Sequence, residues 1–293
     1  MKHQLLLVLA GALLAASMAA AQPAPQLGGH YPAGVEGIKA ATLPPPGVYF
    51  RDYSQWYFAD DLDNGPPGDF DVFAYINAPR LIWITDFKIL GGSYGMDALI
   101  PLGYSSVEAG SIGLDDSRWS LGDLFLEPIT LSWHTKRFDA AVGYGVWAPT
   151  GGFDAGEPAG LGKGFWSHML TVGATCYLDE QKTWSLSVLN RYEIHHEHGD
   201  FDITPGNTWT VEFGLGKSVT KTVEVGLAGY YQTQVTDDDP DSGVNDHVLA
   251  LGPEINAFCP KLGMFFSLRY LREFEARDRT EGNLFNLTLT KPF

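Results

Sequence analysis

Charged side chains share one face of several alternating segments in the second half of the chain. In residues 184–194, Arg191 and Glu193 fall on the face opposite to Trp184 and Tyr192. Inside a closed structure, such a polar face could select solutes by charge, or its members could pair as bracing salt bridges. Both interpretations stay open. The same alternation of side chains between the two strand faces predicts that Asp139 and Glu275 also face inward. The candidate residues for a solute path are Trp147, Arg191, Glu193, Glu212, Glu224, Tyr230, Glu254, Arg269 and Glu273.

A histidine-rich stretch follows the segment 184–194. His195, His196 and His198 stand beside Glu197 and Asp200, and such side chains could bind a transition metal. Neighbouring residues of a strand point to opposite faces, however, so His195 and His196 cannot easily share one ion. We therefore expect a solvated strand end and no metal site.

Two acidic loops and two cysteines are the other groups that could bind an ion or react. The loops Asp60–Asp63 and Asp237–Asp241 are expected to be solvated surface loops, with a bound divalent ion as the alternative. Cys176 and Cys259 fall on strands that are too far apart to be bridged, so we predict two free thiols.

The sequence contains no nucleophile motif of the G-x-S-x-G, H-E-x-x-H or P-loop type. Ser167 and His168 could form a dyad only if they shared a face, and adjacent strand residues do not. We therefore predict no catalytic residues and no cofactor. This indicates that the protein is not an enzyme.

The segments that carry these residues have a period of two, which is typical of strands with one apolar face. Long and short connections alternate between them, and this pattern favours an outer-membrane barrel with short periplasmic turns and longer external loops. The connections near 103–121 and 276–281 are among the long ones. The twelve predicted strands lie near 47–58, 72–86, 92–102, 122–135, 137–149, 165–178, 183–196, 207–218, 221–235, 245–258, 262–275 and 282–293.

The chain divides into three parts. Residues 1–21 have the basic start, apolar core and A-x-A end of a signal peptide. Residues 22–46 form a leader rich in Pro and Gly, which either lies inside the barrel as a plug or hangs in the periplasm. Residues 47–293 form the barrel.

Composition excludes several partners and folds. The 293 residues include 35 acidic and 19 basic side chains, giving a net charge of −16. With no basic stripe to neutralise phosphates, nucleic acid is not expected as a partner. Two cysteines are too few for a disulfide scaffold.

Outward aromatic residues predict where the barrel meets the membrane. They fall near the two ends of the strands, as expected of the girdles that flank an apolar band. The terminal Phe293 is typical of the signal that the barrel-assembly machinery reads. The predicted girdle residues are Trp133, Phe138, Trp184 and Phe293 at the periplasmic rim, and Trp166, Tyr192, Trp209 and Tyr231 at the outer rim.

Several ordered pieces of the chain resemble one known family. They are the opening Gly37–Gly47, the stretches Ala78–Thr85 and Gly91–Met96, Ile100–Leu102, Asn190–His196, Ala250–Pro253 and Arg272–Ala276. The chain thereby resembles the MetA-pathway of phenol degradation family from about Gly37 to Phe293. The resemblance implies an outer-membrane, channel-like protein that passes aromatic or other poorly soluble carbon sources.

The sequence therefore predicts an all-β, transmembrane antiparallel barrel of about 12 strands in the outer membrane of a Gram-negative bacterium. The predicted function is passive uptake of small hydrophobic or aromatic compounds. Two alternatives remain, a barrel enzyme acting on lipid and a structural or adhesive barrel with binding loops. The expected partners are a small-molecule solute, outer-membrane lipid and lipopolysaccharide, and the assembly machinery, with the barrel as a monomer.

Overall fold

The computed structural model describes residues 28–63, 69–154, 158–243 and 245–293. The predicted signal peptide (1–21) and leader residues 22–27 lie outside this part of the chain. The described chain forms one antiparallel sheet and a short 3-10 helix, Gly110–Ile112. The strands are β1 (Gly47–Leu62), β2 (Phe70–Ile89), β3 (Gly92–Leu99), β4 (Leu102–Ala109), β5 (Leu114–Leu121), β6 (Leu124–His134), β7 (Phe138–Ala148), β8 (Ser167–Tyr177), β9 (Trp184–His195), β10 (Thr208–Ser218), β11 (Val223–Gln234), β12 (His247–Cys259), β13 (Met264–Arg277) and β14 (Thr280–Pro292).

The sheet closes on itself through β1, which pairs with β14 on one side and β2 on the other. Tyr53, for example, lies opposite Thr288 of β14 and Ala78 of β2. The ring runs through β1, β2, β3 and then β6 to β14, with β3 hydrogen-bonded to β6. The predicted antiparallel barrel of 12 strands is thus confirmed.

β4 and β5 form a hairpin outside this ring, in the stretch 103–121 for which the sequence predicted a loop. The hairpin can attach because β2 is long: Phe70–Asn77 pairs with β4, and most of Arg80–Ile89 pairs with β3. The prediction of a loop was wrong because the alternation of β5 is carried mainly by polar residues. The hairpin extends the barrel wall at the end with the longer connections.

The connection between β13 and β14 is shorter than predicted. β13 ends at Arg277 and β14 begins at Thr280, so two residues connect them in place of the stretch 276–281. The described turns β2–β3, β6–β7, β8–β9, β10–β11 and β12–β13 lie at the opposite end, which we call the short-turn end. In barrels of this architecture the short turns face the periplasm.

The outer face of the ring is apolar. The side chains of Val172, Leu227 and Leu268 are exposed by 55%, 50% and 53%. In water this exposed apolar surface would be unfavourable, since its free energy falls only when it is removed from water. Within the described residues, no helix is long and apolar enough to cross a membrane. Other exposed residues of this face are Leu170, Leu186, Val188, Leu215, Leu251, Ile255 and Phe285.

The interior of the barrel holds the buried core, and leader residues contribute to it. Tyr31 and Val35 pack with Tyr53, Phe125 and other inward side chains of the wall. A second cluster contains Ala33, Ala228, Tyr230, Val248, Ala250, Leu271 and Leu284. The described part of the leader, residues 28–46, is called the N-terminal segment below.

Candidate functional site in the barrel lumen

Three inward carboxylates of the wall bind the backbone of the N-terminal segment. Glu193 lies on β9, Glu212 on β10 and Glu254 on β12, and we call them the lumenal carboxylates. A carboxylate that accepts backbone N–H groups makes charge-assisted hydrogen bonds, which are stronger than neutral ones. The donors are His30 N (3.0 Å) and Tyr31 N (3.2 Å) to Glu193, Gly34 N and Glu36 N (both 2.9 Å) to Glu212, and Ile38 N (2.8 Å) to Glu254.

Two glycines let the segment approach the wall this closely. Gly34 has a φ of 86°, in the left-handed region that favours glycine. At Gly37, an added Cβ would lie 2.1 Å from the carboxylate of Glu254. A side chain at Gly37 would therefore push the segment away from its hydrogen-bond acceptor.

Two arginines neutralise lumenal carboxylates and also bind the segment. Arg191 Nη1 lies 2.8 Å from Glu212 Oε2, and its guanidinium stacks 4.1 Å from the ring centre of Tyr31. Arg269 donates two hydrogen bonds to Glu254, at 2.9 and 3.0 Å, and a third to the carbonyl oxygen of Gly34 at 2.7 Å. These pairs brace neighbouring strands and fix the segment.

The other predicted lumen residues are also placed inside the barrel. Glu224 pairs with Lys39 of the segment at 2.9 Å, and Trp147 stacks on His30. Tyr230 donates a hydrogen bond to Glu273. All nine residues predicted for a solute path are buried, whereas Glu275, which was also expected to face inward, is exposed. Glu275 has a φ of 57°, and pairing of β12 with β13 is irregular near it, so parity fails there.

A second charged cluster was missed at the sequence level. Arg80 of β2 makes two hydrogen bonds to Asp97, at 2.8 and 2.7 Å, and one to Glu127 at 3.0 Å. Beside it, Arg51 pairs with Glu36 of the segment at 3.1 Å. Charged residues at inward positions interrupt the alternation of the first strands. This interruption was the sequence signal that could have revealed the cluster.

The histidine-rich stretch and one acidic loop are packed rather than solvated. His195 and His198 are buried, and His198 lies among Phe153, Phe165 and Phe201. The expected solvated strand end was therefore wrong for these two residues. The expectation of a wholly solvated acidic loop was also wrong, because the buried side chain of Asp238 accepts a hydrogen bond from Gly206 N at 2.7 Å. Cys176 and Cys259 are free thiols.

The His30 side chain anchors the start of the segment under the long loops. Its ring lies between Trp147, at 5.5 Å and nearly parallel, and Phe165, at 4.8 Å and edge-on. Its two nitrogens lie 2.8 Å from Ser167 Oγ and 3.0 Å from Asp123 Oδ2. Burial lowers the pKa of His30 below its ordinary value, outweighing the attraction of Asp123, and nearby Lys163 lowers it further.

This lowered pKa predicts that acid weakens docking of the segment. When the segment is docked, His30 binds a proton less readily than when the segment is released. The free energy that holds the segment is therefore greatest above pH about 6.5 and decreases below it. We expect planar-bilayer conductance to rise between pH about 7.5 and about 5.5 as the segment is released. A His30→Asn variant should lose most of this dependence, and an unchanged pH response in that variant would contradict the assignment to His30.

A cavity of about 720 Å³ lies between the segment and the short-turn end; we call it the lumenal chamber. The segment contributes Leu43 and Pro45, and the wall contributes Ile82, Leu189 and Phe265. The chamber reaches the turn residues at the short-turn end. Its other lining residues include Lys39, Arg51, Tyr49, Thr220, Glu224, Asn256 and Pro292.

The closed ring, the apolar outer face and the occupied lumen define an outer-membrane β-barrel. A backbone can cross lipid without a helix only when its strands close on themselves, and single-chain barrels of this kind lie in Gram-negative outer membranes. The sequence profile of the MetA-pathway of phenol degradation family matches residues 57–289. The chain belongs to this family, as its sequence resemblance indicated.

Solved structures share this fold at low sequence identity. The COG4313 outer membrane channel from Pseudomonas putida F1 has a TM-score of 0.76 at 15% identity, over 90% of this chain and 99% of that one. The beta domain of the Bordetella autotransporter BrkA has a TM-score of 0.55 at 11% identity, over 85% and 100% of the two chains. A search of the curated proteins found no match.

Proposed function

We propose that this protein is an outer-membrane channel for passive uptake of small hydrophobic or aromatic compounds. The lumenal chamber is the observation that carries the proposal, because it is an open space inside the barrel whose walls offer apolar side chains. A cavity of about 150 Å³ is enough to bind benzene, so the chamber has room for a monoaromatic compound. Membership of a phenol-degradation family supports the same class of solute.

The nine predicted lumen residues take two roles in this proposal. Those that bind the segment (Arg191, Glu193, Glu212, Glu224, Glu254 and Arg269) hold it as a plug above the chamber. Trp147 and Tyr230 pack beside it, and Glu273 accepts a hydrogen bond from Tyr230. A solute passes when the segment moves, so the residues that bind the segment regulate the path and the apolar side chains of the chamber receive the solute.

The alternative of a lipid-acting enzyme rests on one arrangement, in which Ser167, His30 and Asp123 follow one another at hydrogen-bond distances. Hydrolysis would require the serine to meet an ester, yet Ser167 is 0% exposed. The imidazole that joins Ser167 to Asp123 is that of His30 and belongs to the segment, so removing the segment to admit a substrate would dismantle this arrangement. We therefore favour the channel.

The remaining partners belong to the same proposal. We place outer-membrane lipid and lipopolysaccharide around the apolar outer face, and we assign the exposed terminal Phe293 to recognition by the barrel-assembly machinery. The closed ring leaves no need for a second copy to complete the wall, which fits a monomer.

Filling the chamber is expected to block uptake. Ala141 lines the chamber, whereas Ala174, on the adjacent strand, is exposed on the outer face. Gram-negative cells expressing the protein should take up a radiolabelled monoaromatic compound several-fold faster than cells without it. Ala141→Phe should remove most of this gain, because its ring occupies the space of the solute.

Ala174→Phe is the matched control and should leave uptake unchanged, since its ring faces lipid. Equal loss in both variants would indicate an assembly defect rather than a blocked path. Uptake that is the same with and without the protein would refute the proposed function.

A further inference from the structure

The side chain of His30 fills a slot whose walls belong to the barrel and its loops. Trp147 of β7 forms one wall, with its ring nearly parallel to the imidazole at 5.5 Å. Phe165, just before β8, forms the other at 4.8 Å and 74°. Only 2% of the His30 side chain is exposed. The space is therefore that of a flat, five- or six-membered ring.

Polar groups close the slot at two opposite edges of this ring. The Asp123 carboxylate can only accept, so Nε2–H of His30 donates to it at 3.0 Å. Nδ1 of His30 then accepts from the hydroxyl of Ser167 at 2.8 Å. Ser167 Oγ in turn lies 2.6 Å from Nδ1 of His195, whose N–H donates to it. Both edges of the occupant are thus hydrogen-bonded, and the occupant is neutral.

The walls and edges are held by contacts that do not involve the segment. Asp123 also accepts the backbone N–H groups of Gly151 and Lys163, both at 2.8 Å. Trp147 packs on Phe125 with ring centres 4.6 Å apart, and Nε2 of His195 lies 3.2 Å from Thr208 Oγ1. These contacts remain when the segment leaves, so the slot is preformed.

We propose that this ring slot, formed by Asp123, Trp147, Phe165, Ser167 and His195, is a binding site for small neutral aromatic rings with polar edges. Azoles and hydroxylated monoaromatic compounds belong to this class, and His30 is the resident occupant that such a solute replaces. A plain hydrocarbon fits the same walls but leaves the Asp123 carboxylate and the Ser167 hydroxyl with one hydrogen bond fewer each, which disfavours it. The inference rests on the proposed function and specifies its substrate class.

Emptying the slot while the segment stays docked gives a direct test. In a full-length His30→Ala variant, the lumenal carboxylates still hold the segment. Equilibrium binding to purified protein in detergent would be measured for imidazole, phenol and benzene. We expect imidazole and phenol to bind the variant at least tenfold more tightly than benzene, and both to bind wild-type protein far more weakly because His30 competes.

Two controls keep the test decisive. His247→Ala removes a histidine outside the slot and should bind like wild type. Adding Trp147→Ala to His30→Ala should abolish the binding of phenol. The heat-modifiable band on an SDS gel reports that each barrel is folded, and His30→Ser replaces His30→Ala if that variant lacks the band.

Equal binding of benzene and phenol would overturn the proposal, since the slot would then be a plain apolar void. No binding of any ring would overturn it as well. If the rings bind the His30→Ala variant but cells expressing the protein take up no monoaromatic compound, the proposed function is refuted and the slot stands. If cells take up the compound but no ring binds the variant, the slot is refuted and the proposed function stands.

Discussion

Deleting residues 28–46 is expected to turn a nearly silent barrel into a conducting one, with a single-channel conductance roughly tenfold higher. The reason is that the segment fills the lumen. A 12-stranded barrel is intermediate in size between small filled barrels and open porins, so an emptied lumen can conduct. The segment packs with inward side chains of both core clusters. Its removal joins the lumenal chamber to the space under the long loops. The heat-modifiable band should persist, since all twelve ring strands remain.

The opened pore is also expected to prefer cations. Of the nine predicted lumen residues, five are carboxylates and two are arginines, so the exposed wall is acidic. The reversal potential in a KCl gradient measures this preference, and raised salt should weaken it by screening. A silent bilayer from a correctly assembled deletion variant would contradict the assignment of the segment as the plug.

Replacing Glu212 is expected to release the segment from an otherwise intact barrel. This carboxylate accepts hydrogen bonds from Gly34 N and Glu36 N and from the hydroxyl of Tyr31, and it pairs with Arg191. Breaking a buried ion pair by removing one partner costs about 3–5 kcal/mol. Since 1.4 kcal/mol is a factor of ten, Glu212→Ala should raise the released population by about 100-fold or more.

Trypsin provides the measurement, because Lys39 is the only lysine or arginine between residues 28 and 46. Cleavage after Lys39 should be slow in the wild type and fast in Glu212→Ala, as followed by mass spectrometry. Glu212→Gln keeps one acceptor oxygen and should give an intermediate rate. Glu180→Ala, in an exposed turn, is the matched control and should cleave like wild type. Equal cleavage in Glu212→Ala and wild type would show that this carboxylate does not hold the segment.

The barrel could be predicted from sequence because its strands have one apolar and one polar face. In later strands of the wall such as Trp184–His195 the period of two is regular, and the predicted bounds of β6 to β14 lie within about two residues of the observed ones. Those of β1 to β3, whose alternation is interrupted, differ by up to about four residues. The β4–β5 hairpin lies at the end with the longer connections, and the alternating positions of β5 are held mainly by polar residues. Its strands were therefore missed.

The candidate site could be predicted only on the barrel side. Parity placed Arg191, Glu212 and Arg269 inward, since a charged side chain must avoid lipid. The segment has neither a strand nor a helix period, so its path and its contacts through Glu36 and His30 left no pattern in the sequence. The ring slot could not be predicted for the same reason. Its residues Asp123 and Ser167 and its occupant His30 are far apart in the sequence and meet only through tertiary contacts.

Transfer of a monoaromatic compound across an asymmetric planar membrane, with lipopolysaccharide in one leaflet, tests the central claim most directly. Purified full-length protein should raise the transfer rate well above that of the protein-free membrane. The rate should fall in Ala141→Phe and stay unchanged in Ala174→Phe. Transfer at the protein-free rate, with the barrel folded and inserted, would contradict the account.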